Sequence, residues 1–369
     1  MRRLPPSWPC RSIAEPDLLV LNDGYDDWYE YVRSRPYVTG DDWTTRVGAA
    51  LGVPEPAVTP APRVVGVSSA DGVTTTELAW EVGFGPELHA WFLHPSDAEP
   101  STLPGVLDLH CHAGIKSIGA ERLLPGPAGR AYQVMYEDGV AFAALLAARG
   151  VAVLAPDTFS WGSRRFDLSS ATGQLGELRA LLEGVGLRGD DLYDGMAKLH
   201  EHLVAKRAGA IGTSYAGMVA HDDLTSLAVL RSLTSGRIGL TGFSGGGGRA
   251  PVLAALSPGV DKVSIVAMMA TNDSLVPDHL DCHSWLLNTP WRHRTLDLPD
   301  LAASRRQHRL HVVYCEQDEL FPAAGMRAAD ARLKELYEGS PGSYEGVFVP
   351  GPHGITRATH ELVADFLTS

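Results

Sequence analysis

Cysteine is scarce in this chain. It has four in 369 residues, Cys10, Cys111, Cys282 and Cys315, spread too widely to form a paired framework. This argues against a disulfide-stapled secreted domain and for reduced thiols. Basic residues are also in deficit, 31 Lys and Arg against 44 Asp and Glu, a net charge of −13. Nucleic acid and anionic membrane both demand basic surface, so neither is an expected partner. No apolar run approaches the length that spans a bilayer. The opening segment MRRLPPSWPCRSIAEPDLLVLNDG begins with two arginines, but its prolines and the short apolar run Leu18 to Leu21 do not make a signal-peptide core. The expectation is a soluble, cytoplasmic protein. No internal repeat is visible.

What the chain does contain is globular: 44% hydrophobic and 20% charged residues, enough for one large α/β domain with additions or for two ordinary domains. Residues 1–62 read as an N-terminal extension, with one helix over Asp41 to Leu51 and a stiff VPEPAVTPAP linker. Its stretch DGYDDWYEYVRSRPY is rich in aromatics, suited to packing on the parent domain or on a second subunit, and so to a homo-oligomer built through the extension.

From Arg63 the pattern is RVVGVSSADGVTTTELAWEVGFGPELHAWFLHP, alternating strands broken by Asp71-Gly72 and by Gly83 to Pro86, the antiparallel start of a sheet. Then the rhythm changes. The strands GVLDLHCH, VAVLAPD, RIGLTGFS, VSIVAMMAT, LHVVYCEQD and YEGVFVPGP alternate with helical or loop segments, and THELVADFL closes the chain as a helix. Such alternation implies a mostly parallel central sheet with helices on both faces, and a site at the carboxyl ends of the strands. Two stretches break the rhythm, near 158–199 and 274–308, and their length marks them as lids or substrate walls.

The pattern Gly242-Phe243-Ser244-Gly245-Gly246 lies where a strand ends and a helix begins, the strand being read as Ile238 to Thr241 and the helix as starting at Arg249. A serine on such a turn has strained backbone angles, and small neighbours let strand and helix come close. The amide that follows lies at a helix N-terminus, where the dipole favours an oxyanion. A nucleophilic serine needs a base and a group to orient it. Asp318 follows the strand in VVYCEQDELFP and His353 follows the last one in VPGPHGIT, in the order Ser, Asp, His.

With these residues in place the chain resembles the α/β-hydrolase fold, and more narrowly its dienelactone hydrolase and acetyl xylan esterase branch. The resemblance rests on Gly242 to Gly246, on Asp318 with Phe321-Pro322, on His353-Gly354, and on DLHCHAG and APDTFSWGSRR after two earlier strands; it covers residues 63–369. In that branch the loop after the early strand reads His-Gly followed by a residue whose N–H completes the oxyanion hole. Here it reads His110-Cys111-His112, so by position the His112 amide would partner that of Gly245. The resemblance implies a serine hydrolase acting on a small-molecule ester through an acyl-enzyme, without a cofactor. Amide cleavage, acyl transfer and ring closure by the same site are the alternatives. Cys111, Trp161, Arg164, Trp285 and Trp291 suit a substrate pocket.

Other residues invite different readings. HCH at 110–112 and HLDCH at 279–283 contain possible zinc ligands but lack the paired spacing of a recognised site, and no metal is assigned. Ser214 reads as a turn or cap serine rather than a second nucleophile. Asp157 and Asp273 also follow strands and stand as substitutes for Asp318.

Overall fold

The computed structural model describes residues 23–57, 59–234, 236–290 and 296–369. Nine strands form one sheet: β1 (Arg63–Ala70), β2 (Val73–Trp80), β3 (Leu88–Pro95), β4 (Gly105–Leu109), β5 (Ala152–Pro156), β6 (Ile238–Phe243), β7 (Lys262–Val266), β8 (Arg309–Cys315) and β9 (Ser343–Val349). Their spatial order is β1-β2-β3-β5-β4-β6-β7-β8-β9. The first three strands and the β3–β5 pair are antiparallel; from β5 onward all neighbours are parallel. The order turns back between β5 and β4, and all six parallel strands deliver their carboxyl ends to one edge.

Strands β4 to β7 are buried along their whole length, which accounts for their near-continuous apolar sequences. Successive side chains still alternate: Leu107 and Leu109 face one core, Val106 the other. One core is covered by α7 (Tyr215–Leu233), α8 (Gly245–Leu256) and α11 (Ala323–Tyr337); the other by α4 (Phe142–Ala148) and α12 (Arg357–Thr368).

Helix α2 (Asp42–Leu51) starts where its sequence says, the Asp41 carboxylate accepting from the Thr44 N–H, and ends at Gly52 in the left-handed conformation. Before it lies α1 (Trp28–Ser34), which the sequence reading did not resolve. Three of the five aromatics of this segment are buried within the same chain, while Tyr29 and Tyr37 are exposed. Tyr25, Trp28 and Tyr31 join the core that contains Phe84, Phe159 and Phe166, and the Tyr31 hydroxyl meets His221 Nε2 at 2.8 Å.

The stretch near 158–199 is largely helical. It carries α5 (Gly173–Gly184) and the start of α6 (Gly189–Ala210), which runs well past the boundary expected from sequence. The long connection after β7 begins with the short α9 (Asn272–Leu275) and ends in α10 (Leu298–Ala302). Among the described residues no helix is long and apolar enough to cross a membrane.

Candidate active site

Strand β6 passes into α8 through a single residue, Ser244, with φ 52° and ψ −118°. A non-glycine residue held there is strained, and the surroundings fix it: its N–H donates to the Val266 carbonyl (2.8 Å) and its own carbonyl accepts from Gly248 N–H (3.0 Å). The helix begins at Gly245, four residues earlier than the Arg249 start read from sequence. Glycine has low helix propensity, but here close approach decides. A Cβ at Gly246 would lie 1.8 Å from the Leu109 carbonyl oxygen, and one at Gly242 would lie 2.4 Å from the Gly246 carbonyl carbon. The glycines thus let β4, β6 and α8 meet backbone to backbone.

His353, in the loop between β9 and α12, reaches Ser244 from the other side. Its Nε2 lies 2.9 Å from Ser244 Oγ, and its Nδ1 lies 2.7 Å from Asp318 Oδ2. Asp318 follows β8, its side chain almost fully buried, and its other oxygen accepts from Leu320 N–H at 2.8 Å. With the carboxylate accepting from Nδ1–H, the Nε2 lone pair faces the serine hydroxyl. The imidazole packs on Phe243, ring centroids 4.9 Å apart.

Opposite the histidine, a Cβ at Gly245 would lie 2.9 Å from the backbone nitrogen of His112. Two peptide groups, one at the N-terminus of α8 and one in the loop after β4, therefore flank the serine. Neither N–H has a protein acceptor among the described residues. The His112 ring is half-buried in the cavity wall, and desolvation lowers its pKa to about 4, so it is neutral at pH 7.

No protein-family model and no curated protein matches the chain. Solved structures do. A protein of Bacteroides fragilis assigned as an acetyl xylan esterase superposes with a TM-score of 0.60 at 15% identity, over 93% of this chain and 89% of its own. An acetyl xylan esterase from Paenibacillus sp. R4 gives 0.53 at 16% identity, over 92% and 98%. A glucuronoyl esterase from Solibacter usitatus gives 0.53 at 12%, over 92% and 90%. The chain has the α/β-hydrolase fold.

Within this α/β-hydrolase fold a cavity of about 500 Å³ opens on Ser244 and His353. A larger cavity of about 800 Å³, with Trp91, Arg165 and Tyr193 in its wall, touches none of Ser244, Asp318 and His353, so the hydrogen-bonded cluster of these three singles out the smaller one as the candidate site. Cys111 and Trp285, two of the residues suited by sequence to a pocket, line the smaller cavity together with His112. Trp161 sits one layer back, buried, with the Lys116 ammonium 4.0 Å from its ring centroid. Arg164 faces away, fully buried and paired with Asp222 at 2.9 Å. Trp291 lies outside the described residues. The other readings resolve locally: Ser214 caps α7, accepting from Gly217 N–H, and Asp157 accepts from the amides of Ala120 and Ser163, while both ring nitrogens of His353 are taken by Asp318 and Ser244. Asp273 lies in the first turn of α9. His110 is buried, its Nδ1 donating to the Cys111 carbonyl, and among the described residues no group of three or more His, Cys, Asp or Glu side chains converges as a metal site.

Sequence reading missed the charged wall of the cavity. Lys116 and Glu201 meet at 2.7 Å, both nearly inaccessible to solvent, and Glu201 also accepts from the Trp285 N–H at 2.8 Å. Burial pushes the Glu201 carboxyl upward, but the Lys116 ammonium, together with the hydrogen bonds from Lys116 and the Trp285 N–H, outweighs it and holds the group ionised. Burial lowers the Lys116 pKa, with Glu201 opposing. Glu201 appears in sequence as one more charge on the polar helix KLHEHLVAK, with nothing to set it apart.

Proposed function

We propose that this chain is a serine hydrolase that cleaves a carboxylic ester of a small molecule through an acyl-enzyme. The observation that carries the reading is His353, which bridges the Ser244 hydroxyl and the Asp318 carboxylate at 2.9 and 2.7 Å. Ser244 Oγ attacks the carbonyl carbon while its proton passes to His353 Nε2. The carbonyl oxygen takes up negative charge against the N–H groups of His112 and Gly245. Collapse expels the alcohol, protonated by His353, and leaves Ser244 acylated. Water, giving a proton to the same imidazole, then releases the acid and restores the serine. Asp318 holds the imidazole in the tautomer that both steps require.

Two further points support the reading, the first for an ester and the second for a small substrate. The fold is shared with proteins named acetyl xylan esterase and glucuronoyl esterase. The cavity, about 500 Å³, is of the size that holds small molecules.

A panel of p-nitrophenyl esters, acetate to octanoate, tests the reading on wild type and Ser244→Ala. Wild type should turn over the short esters, and Ser244→Ala should lose at least about 10³-fold in kcat. Labelling of Ser244 by a fluorophosphonate without ester turnover would move amide cleavage or acyl transfer forward. Absence of both labelling and turnover would remove the hydrolase reading.

A further inference from the structure

Among the described residues five lysine and arginine side chains are buried, and three of them have a side-chain carboxylate partner: Lys116 with Glu201, Arg164 with Asp222, Arg249 with Asp223. Lys262, near the end of the chain, donates to the Leu367 carbonyl at 3.0 Å. Arg122 is the fifth. It lies in a short turn (Ala120–Leu123) after the Cys111–Ile118 loop and is fully inaccessible to solvent. No ion pair of its own is found among the described residues. Its partners are backbone carbonyls instead: Nη1 donates to Cys111, and Nη2 to Ile115 (2.9 Å) and Ile118 (2.6 Å). The Tyr132 ring lies 5.0 Å from the guanidinium carbon, and Gln133 fixes the turn by donating to the Arg122 and Leu124 carbonyls at 3.0 and 2.8 Å. An unpaired buried guanidinium is costly, so this arrangement calls for a reason.

The reason lies in the peptide that Arg122 grips. The Cys111 carbonyl belongs to the same peptide unit as the His112 N–H, and in a planar trans peptide the two point in opposite directions. Arg122 and His110 Nδ1–H (2.9 Å) both donate to this oxygen and draw it inward. The His112 N–H is thereby turned outward, toward the Gly245 backbone and the serine. A cation on the carbonyl also polarises the peptide and makes its N–H a stronger donor.

We infer that Arg122 is a positioning residue that sets and polarises the oxyanion-hole amide of His112. The inference rests on the serine-hydrolase reading above. Arg122 touches no substrate; it acts through one peptide group. Its effect therefore belongs to the charged transition state and not to substrate binding.

The test compares Arg122→Lys, which keeps the charge but loses the fork, and Arg122→Met with wild type. It measures p-nitrophenyl acetate kinetics, inhibition by a trifluoromethyl ketone whose hemiketal oxygen occupies the hole, and the rate of fluorophosphonate labelling, which needs the same hole. Complete removal of one such donor costs about 10² to 10³ in kcat. Misorienting it should cost about 10- to 100-fold, with KM within about twofold, a matching loss of ketone affinity and labelling rate, and a smaller loss in Arg122→Lys than in Arg122→Met. Gln133→Met, which loosens the turn carrying Arg122, should show the same split at about threefold and serves if the arginine variants do not fold. Folded variants with kcat within twofold of wild type, or with kcat lost but ketone affinity kept, overturn the inference. A wild type that neither labels nor hydrolyses brings down the hydrolase reading and this inference together, whereas a competent wild type with unaffected variants overturns the role of Arg122 alone.

Discussion

The Lys116 ammonium and the Glu201 carboxylate meet at 2.7 Å in the wall of the candidate-site cavity, both nearly inaccessible to solvent. The pair joins three parts of the chain. Lys116 belongs to the loop after β4, whose amides at 116 and 117 are also held by Asp194; Glu201 belongs to α6; and the carboxylate's second partner is the Trp285 amide, in the connection after β7.

Removing one member leaves a buried charge without compensation. Glu201→Gln should lower stability by about 3 to 5 kcal/mol. The double variant Lys116→Met/Glu201→Gln should recover part of that loss, because an apolar replacement of the whole pair leaves no charge behind. Urea unfolding of the single and double variants measures both. Equal stability of wild type and Glu201→Gln would mean that water reaches the pair.

The glycines around Ser244 predict a contrast. Gly246→Ala would put a methyl 1.8 Å from the Leu109 carbonyl oxygen, where only backbone movement can make room. It should lower stability by at least about 2 kcal/mol through overpacking. Gly209, also helical, has open space at its Cβ position, so Gly209→Ala should raise stability by about 0.5 to 1 kcal/mol. Thermal unfolding followed by circular dichroism compares the two; a harmless Gly246→Ala would contradict the close approach of β4 and α8.

Two buried carboxyls, Asp108 and Glu137, set a pH dependence. Burial and then the neighbouring Asp108 push Glu137 up to about 8, and burial pushes Asp108 up to about 7. Glu137 thus stays protonated in the fold at a pH where the unfolded chain, with its ordinary value of 4.5, has lost the proton. The folded state then binds more protons than the unfolded one. Its contribution to stability is full below about pH 4.5 and declines toward pH 8, by roughly 1.4 kcal/mol per pH unit. Glu137→Gln removes that decline. Urea unfolding at pH 5 and pH 8 should therefore show a smaller loss of stability on going to pH 8 in the variant, and parallel losses would refute the assignment.

Much of the candidate site was legible in sequence because each of its groups sits where an apolar strand stops. Ser244, Asp318 and His353 follow β6, β8 and β9, and their order along the chain matched the topology that the strand–helix rhythm implied. The glycine run was less transparent. Low helix propensity read Gly245 to Gly248 as turn, while the structure spends them inside the first turn of α8, where only a residue without Cβ clears the backbones of β4 and β6. Trp161 and Arg164 illustrate the opposite difficulty: both follow β5 and both are buried, yet one backs the cavity wall and the other faces Asp222.

By itself, then, the sequence determined most of the elements and which strand ends carry the candidate groups: period and strand-end position are local properties, carried by neighbouring residues. The tertiary structure alone decided which buried charges meet. Glu201 and Lys116 are far apart in the chain, as are Ser244 and the Cys111–His112 peptide that Arg122 holds beside Gly245. Burial and low dielectric, not sequence spacing, make those contacts matter, and both arise only when the helices close over the sheet.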